Sequence, residues 1–505
     1  MNASIVIIAA FAVFALAIGV TARRGRKLTL EQWAVGGRGF GSLLTFLLMA
    51  GEAFSTFSFL GASGWTYSKG VPAFYILSYG CLAFVIGYWM LPAIWRYAKA
   101  HGLVSFADYF ASKYDSRAIG VLVSIVAVFA MVSLLMIQLR GLGVIVSEMS
   151  YGLIPQAAAI WIAATLMAVY MVVSGIHGSA SIAIFKDVLI LAIAIFLGLY
   201  LPMHYYGGLG EMFAKIDAAH PELLRMPEHG FNLSWYNSTI LLTSLGYYLY
   251  PHGFTAIYVA KDERALRRNV ILMPLYQVLI AFLFLVGFAA VMTVHGLEGA
   301  QTDLALLRLV KQTFPAWFVG IVGGTGLLTA LVPGSLIMLN ASTTIARNIY
   351  REGFAPNATD REVARVARIA LPIFTLVVVY FVLRGGATFV TLAIFSSSLL
   401  TQLVPMLASS FLKRPFGTRE GAFAGIVAGA IVIAMTNYYG VTLASLFPGA
   451  SNTLTSINPG LVALAVNAVV FVVISAVQRK LKARVAAPAA RPLDGSKANR
   501  TTTGH

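Results

Sequence analysis

The sequence predicts an all-α polytopic membrane protein of about thirteen transmembrane helices, and three observations carry that reading. Of the 505 residues, 59 % are hydrophobic and 11 % charged, whereas soluble domains use ~25 % charged residues; the mean hydropathy is +0.82. Apolar windows of the ~20 residues that a spanning helix needs recur along nearly the whole length. No separate soluble catalytic domain fits between them, and no enzyme is expected. Basic residues alternate with the windows: with the N-terminus outside, and with Arg368 at the edge of the tenth window counted to the loop before it, 29 of the 36 Lys and Arg fall in the loops after odd-numbered windows and in the C-terminal tail, as the positive-inside bias requires.

The first window, 3–20, lacks a basic n-region and a small-residue cleavage site and is followed by "RRGRK". It reads as an anchor rather than a signal peptide. The second, 42–64, is interrupted: "LLMAGEAFSTFSFLGASGW" sets Glu52, Ser55, Thr56, Ser58 and three glycines into an apolar run. Windows 73–95, 118–139, 154–174 and 187–204 follow. The seventh, 237–258, is interrupted again at "LGYYLYPHGF", where Pro251 removes a backbone donor and Gly253 loosens the chain. Windows 270–294, 316–346, 367–383, 386–411, 420–438 and 459–478 complete the set. The outward loops 205–236 and 295–315 carry acidic residues, with a short amphipathic helix expected at "EMFAKIDAAH"; the inward loops holding "SFADYFASK" and "ARNIYREGF" should carry short surface helices. The single cysteine, Cys81, excludes an intramolecular disulfide and a Cys-based metal site. The net charge of +17 is dispersed over short loops and the tail; it signals topology and not a nucleic-acid surface.

Non-helical backbone at membrane depth is tolerated only where it is buried in protein or lines a wet cavity. Two interruptions five windows apart are what two inverted five-helix repeats produce, windows 2–6 and 7–11, with a binding site between the breaks near the midplane. The chain then divides into 1–41, an extra N-terminal helix and first cytoplasmic loop; 42–411, the core of two repeats; 412–478, two C-terminal helices; and 479–505, a disordered cytoplasmic tail.

Ionisable groups inside a membrane are functional candidates by default. Glu52 reads as a proton-carrying carboxyl, a gate residue, or a structural partner of Arg140. The Arg140 guanidinium offers a bidentate match to a solute carboxylate, with Gln138 beside it, or else it snorkels at the outer interface. His252, inside the second break, can donate to a solute or take up a proton near neutral pH. Tyr247, Tyr248 and Tyr250 would wall the pocket, and Gln402 with Pro405 would bend an outer gate. The chain has no Walker loop, HExxH or metal cluster, so neither ATP hydrolysis nor a resident cofactor is expected.

In order and spacing these segments resemble the sodium:solute symporter family: "GASG" after the first break, "LGYYLYPH" in the seventh window and "ASTTIARNIYREGF" closing the ninth, over roughly residues 20 to 440. An "LVP" in the middle of the ninth window and the "RNIY" at its end resemble the bacterial monocarboxylate permeases within that family. The resemblance implies a leucine-transporter-type fold in the bacterial cytoplasmic (inner) membrane, with the C-terminus cytoplasmic, and cation-driven uptake. It also implies a sodium site made by carbonyls at Gly51 and Phe54 and by hydroxyls in the ninth window. The family's two adjacent hydroxyl positions fall on Val332 and Pro333, leaving Thr329 one turn earlier and Ser335 just after. A hard cation such as sodium needs several oxygen ligands, so both sodium and proton coupling stand. The expected solute is a small monocarboxylate such as acetate, lactate or pyruvate; the alternative is a sodium-coupled carrier of proline, another amino acid or a sugar. The partners expected are that organic anion and membrane lipid, with no nucleic acid, and both a monomer and a homo-oligomer are open.

Overall fold

The computed structural model describes residues 3–23, 41–413 and 415–486, without the side chains of 22, 23, 48, 52, 173–177, 180 and 483–486. The Glu52 carboxyl, most of the first basic loop and the tail after 486 therefore lie outside the described part. All regular elements among the described residues are helical, and ten helices are long and apolar enough to cross a membrane. The protein is an all-α polytopic membrane protein.

The main helices are α1 (Ala3–Arg23), α2 (Ser42–Ala53), α3 (Ala62–Lys69), α4 (Tyr75–Ala100), α5 (Phe106–Lys113), α6 (Arg117–Met149), α7 (Gln156–Tyr206), α8 (Leu233–Gly246) and α9 (Pro251–Tyr258). They continue as α10 (Glu263–Val278), α11 (Ala281–Val291), α12 (Ala316–Thr344), α13 (Asp360–Arg384), α14 (Phe389–Leu400), α15 (Val404–Ser410), α16 (Arg419–Tyr439) and α17 (Pro459–Ala486). The short helix expected in loop 205–236 is present at Leu209–Ala219. A capping box at Ser105 and Asp108 starts α5, the surface helix of the next expected segment. The ninth window runs on past Thr344 as a π-helix, Ile345–Phe354. At the C-terminus, α17 continues through Ala486, so residues 479–486 are helical and not part of a disordered tail.

The fifth and sixth windows are joined in the helical segment α7. A straight helix of its 51 residues would run about 75 Å at ~1.5 Å per residue. Both its ends nevertheless lie on one side of the molecule. Near its start, Ile154 accepts from Ser147, and Glu148 pairs with Lys311 at 2.7 Å; near its end, the Tyr205 hydroxyl meets Thr313 at 2.8 Å, two residues from Lys311. α7 therefore folds back on itself, and its arms are the apolar stretches Gln156–Val172 and Ser181–Tyr206.

The outer surface of the bundle is apolar where lipid would lie, with Trp89, Phe129, Ile271, Leu275 and Val469 exposed. In contrast, α12 is buried almost throughout. It runs through the centre, against α1, α6 and α7. The two interrupted segments, α2–α3 and α8–α9, reach the same interior.

Candidate solute and cation site

The first break falls between α2 and α3. Phe54 leaves helical dihedrals (φ −109°, ψ 77°), Ser55 and Thr56 follow it, and Phe57–Gly61 form a π-helical turn before α3 begins. Gly51 itself is helical, so the interruption lies a few residues beyond it. The second break is the single extended residue Tyr250 (φ −69°, ψ 133°), after which Pro251 occupies the first position of α9, where its missing N–H and fixed φ cost nothing. Gly253, expected to loosen the chain, is inside α9.

Between the breaks lies a cavity of about 80 Å³. Ser55 and Phe57 enter it from the first break, Tyr247, Tyr250 and His252 from the second, Gln138 from α6, Pro333 from α12 and Ser397 from α14. The Tyr250 hydroxyl lies 2.9 Å from Ser397 Oγ, and its ring stacks on His252 at 5.4 Å. Gln138 is 3 % exposed, and its Oε1 has no hydrogen-bond partner. A buried amide oxygen in that condition is costly unless something else completes it. Among the described side chains no Asp, Glu, Lys or Arg lines this cavity.

A second cavity of about 200 Å³ opens on the other side of α9, lined by Pro251, Thr255, Asn340 and Arg347. Thr255 bonds the Pro251 carbonyl and Asn340 Oδ1, tying α9 to α12. Below it the "RNIY" residues act as a clamp: Arg347 pairs with Asp108 at 3.2 Å, and Asn348 donates to the same carboxylate at 3.0 Å. Asp108 also caps α5, so one acidic residue joins the end of the α12 segment to the surface helix.

Arg140 lies elsewhere. It does not line the central cavity, and its guanidinium is committed to the Ala300 and Ala387 carbonyls and to Asp303 at 3.4 Å, with the Phe389 ring 4.9 Å from its centre. Asp303 is fully buried and accepts from the Phe389 N–H at 3.1 Å. This knot joins α6, α14 and the connection 299–304, and closes the side of the molecule opposite Arg347. "GASG" serves the same closure: a Cβ on Gly64 would stand 2.6 Å from the Thr302 carbonyl oxygen and 2.7 Å from Asp303 Cα. Arg140 thus has Asp303 as a carboxylate partner, while the expected pairing with Glu52 falls on a side chain outside the described part. Burial pushes the Asp303 carboxyl up to about 7, against the pull of Arg140 and the Phe389 N–H.

Two further expected site residues are also absent from the cavity. Gln402 donates to the Ser398 carbonyl and receives Asn467 of α17, so it belongs to the seam with the C-terminal helices. The Tyr248 ring packs where Gly87 leaves room.

The carbonyls expected to hold a cation do hold one, and it is part of the chain. Lys186 Nζ, on the second arm of α7, donates to the Phe54 carbonyl at 2.9 Å and to the Gly51 carbonyl at 3.2 Å, and lies 2.9 Å from Asp187 Oδ1. Lys186 is completely buried. The other loose end of the break, the Ala53 carbonyl, accepts from the Ser58 hydroxyl. On α12, Thr329 Oγ1 donates to Thr325 O at 2.7 Å and Ser335 Oγ to Val332 O at 2.8 Å, with Ser179 Oγ 3.2 Å from Ser335 Oγ. Val332 and Pro333 bring no side-chain oxygen. Among the described residues no group of His, Cys, Asp and Glu could hold a metal ion.

Comparison with known proteins identifies the kind of molecule. The family model of the sodium:solute symporter family matches residues 33–429. The uncharacterised symporter YhjB of Bacillus subtilis (strain 168) is 49 % identical over 97 % of this chain and 100 % of its own length. A monocarboxylate transport permease of Rhizobium johnstonii is 27 % identical, covering 92 % of this chain and 95 % of its own. Among solved structures, the substrate-bound, outward-open state of a Na+-coupled sialic acid symporter superposes with a TM-score of 0.75 at 13 % identity, covering 94 % of this chain and 98 % of that one. The fold is of the leucine-transporter type.

Proposed function

Because the chain belongs to the sodium:solute symporter family, we propose that it is a secondary active symporter that imports a small monocarboxylate of the acetate, lactate or pyruvate type by alternating access. The central cavity between the two breaks carries this reading. At about 80 Å³ it has room for a few water-sized groups, which suits an acid of a few heavy atoms better than a sugar. Among the described side chains its lining has no carboxylate, which suits an anion better than the ammonium of proline or another amino acid. The likeness to a monocarboxylate permease points the same way.

A carboxylate would be held by neutral donors. The hydroxyls of Ser55, Tyr250 and Ser397, the Gln138 amide and the His252 ring all face the cavity. The first turn of α9 starts at its wall with unsatisfied N–H groups, and the positive end of a half-helix favours an anion. With the N-terminus outside and thirteen spans, the Arg140–Asp303 knot is the outer closure and the Arg347 cavity the cytoplasmic vestibule. α9, which lines both cavities, is then the wall that must move for release. Sodium and protons remain the two candidates for the driving ion.

The test is counterflow in proteoliposomes loaded with unlabelled acetate, lactate or pyruvate, following uptake of the labelled acid. Exchange of at least one, with none for proline or glucose, is the expected result. Exchange of proline or glucose alone would replace the monocarboxylate reading by the amino-acid or sugar one.

A further inference from the structure

We propose that the Lys186 ammonium is a built-in replacement for the free cation at the first helix break, so that this symporter binds no sodium there and moves its solute without it. The proposal rests on the reading of the chain as a carrier, and not on which solute it carries.

Two observed features meet at Lys186, and the resemblance to the family adds a third on α12. The Gly51 and Phe54 carbonyls, freed from helical bonding by the turn at Phe54, both accept from its Nζ. On the facing helix α12, the positions where further oxygen ligands would be needed carry Val332 and Pro333, and the nearby Thr329 and Ser335 hydroxyls are bonded to their own helix. Asp187 supplies the counter-charge at 2.9 Å. A sodium ion entering this place would meet a fixed positive charge at contact distance and two carbonyls already bonded to it. The residues do not fit a sodium ion.

An ammonium and a sodium ion do the same mechanical work here. Each cross-links the unwound backbone of the α2–α3 segment to the neighbouring helices and makes the break affordable in an apolar surrounding, where an unsatisfied carbonyl is costly. A dissociable ion lets the cross-link respond to the external sodium concentration. A tethered one makes it permanent with respect to sodium, and a sodium gradient then has no purchase on the closure of the break. A Cβ on Gly51 would make ordinary contact with Nζ at 3.5 Å and with Lys186 Cε at 3.9 Å, so the lysine lies directly against this residue.

The experiment is binding of radioactive sodium to the purified full-length chain, together with its thermal unfolding in sodium against choline at constant ionic strength. The wild type should bind no saturable sodium and unfold at the same temperature in both salts. Lys186→Ala leaves the Gly51 and Phe54 carbonyls and the Asp187 carboxylate facing an empty position. It should unfold at lower temperature in choline, recover in sodium, and lose that recovery in the Lys186→Ala, Asp187→Asn double variant. A folded Lys186→Ala that ignores sodium overturns the proposal. So does saturable sodium binding by the wild type, which decides the matter alone should the variant not fold. Labelled monocarboxylate uptake in choline gives the transport arm: loss of uptake on removing sodium overturns the proposal. Absence of uptake in both salts refutes the solute reading and leaves the sodium arm standing.

Discussion

Arg140→Met tests the closure on the Asp303 side. The guanidinium reaches two backbone carbonyls, the Asp303 carboxylate at 3.4 Å and the Phe389 ring, with 8 % of the residue exposed. Methionine fills much of the space and satisfies none of these. Removing one partner of a buried ion pair costs about 3–5 kcal/mol because the other charge is left uncompensated. We take the lower end, about 3 kcal/mol or ~100-fold in the open-to-closed ratio, because Asp303 can escape the penalty by taking up a proton. In the closed state burial already pushes that carboxyl up to about 7, and loss of Arg140 moves it higher. A group held protonated by the closed state stabilises that state below its raised pKa, and the contribution is lost as pH rises through it. The variant should therefore open more at pH 8 than at pH 6. The assay is labelling of Ala393→Cys, a cavity-lining position, by a membrane-impermeant maleimide in right-side-out vesicles with Cys81→Ser as background. Arg140→Met should label faster by one to two orders of magnitude, Arg140→Lys by less. Unchanged labelling, or labelling that falls as pH rises, would refute the closure.

Gly64→Ala should act through the same connection without altering a charge: its Cβ stands 2.6 Å from the Thr302 carbonyl, an overpacking worth about 1–3 kcal/mol, and labelling at Ala393→Cys should rise about tenfold. Gln138→Leu keeps the size of the side chain and removes its amide, so the apparent KM for the transported acid should rise about tenfold, matching the ~1–3 kcal/mol of a lost hydrogen bond to a charged group, with membrane insertion unchanged; an unaltered KM would remove Gln138 from the solute shell. Asp108→Asn weakens the clamp on Arg347 and Asn348. It should lower the unfolding temperature modestly while leaving sodium indifference intact. A C-terminal reporter should be cytoplasmic and an extreme N-terminal one extracytoplasmic; both on one side would refute the thirteen-span topology from which the outer and inner closures are assigned.

The helical architecture and the two breaks were legible because both rest on local rules. A run of apolar residues satisfies its own backbone in lipid, and Pro251 or a glycine cluster announces where it stops doing so. Tyr247 and His252 reach the cavity because they stand beside the second break, whereas Gln138 reaches it from the unbroken α6. The role of Arg140 was not legible, since its partner Asp303 is 163 positions away in a connection that reads as solvated. No periodicity links "LRGLG" to "TDL". Gln402 was misplaced for a similar reason: the donor it receives, Asn467, belongs to α17, outside the repeats.

Lys186 went unread because counting charges assigns it a different job. A basic residue at the edge of an apolar window is normally a topology marker, and the sixth window begins at Asp187 only if Lys186 is left in the loop. Read as a pair, "FKDV" says otherwise. A lysine followed at once by an aspartate carries no net charge as a pair, a fact that a positive-inside comparison, which counts Lys and Arg alone, does not register. Adjacent opposite charges are also a form in which an ammonium can be carried into a low-dielectric interior. The missing hydroxyls at Val332 and Pro333 then become informative together with that pair. A carrier that had lost sodium ligands and gained nothing would have an unsupported break at Phe54. On the proposal above, the apolar Val332 and Pro333 side chains of α12 and the Lys186 ammonium of α7 are two halves of one arrangement: without the ammonium the Gly51 and Phe54 carbonyls would be left freed, and without those carbonyls and Asp187 the ammonium would be unpaired in the membrane.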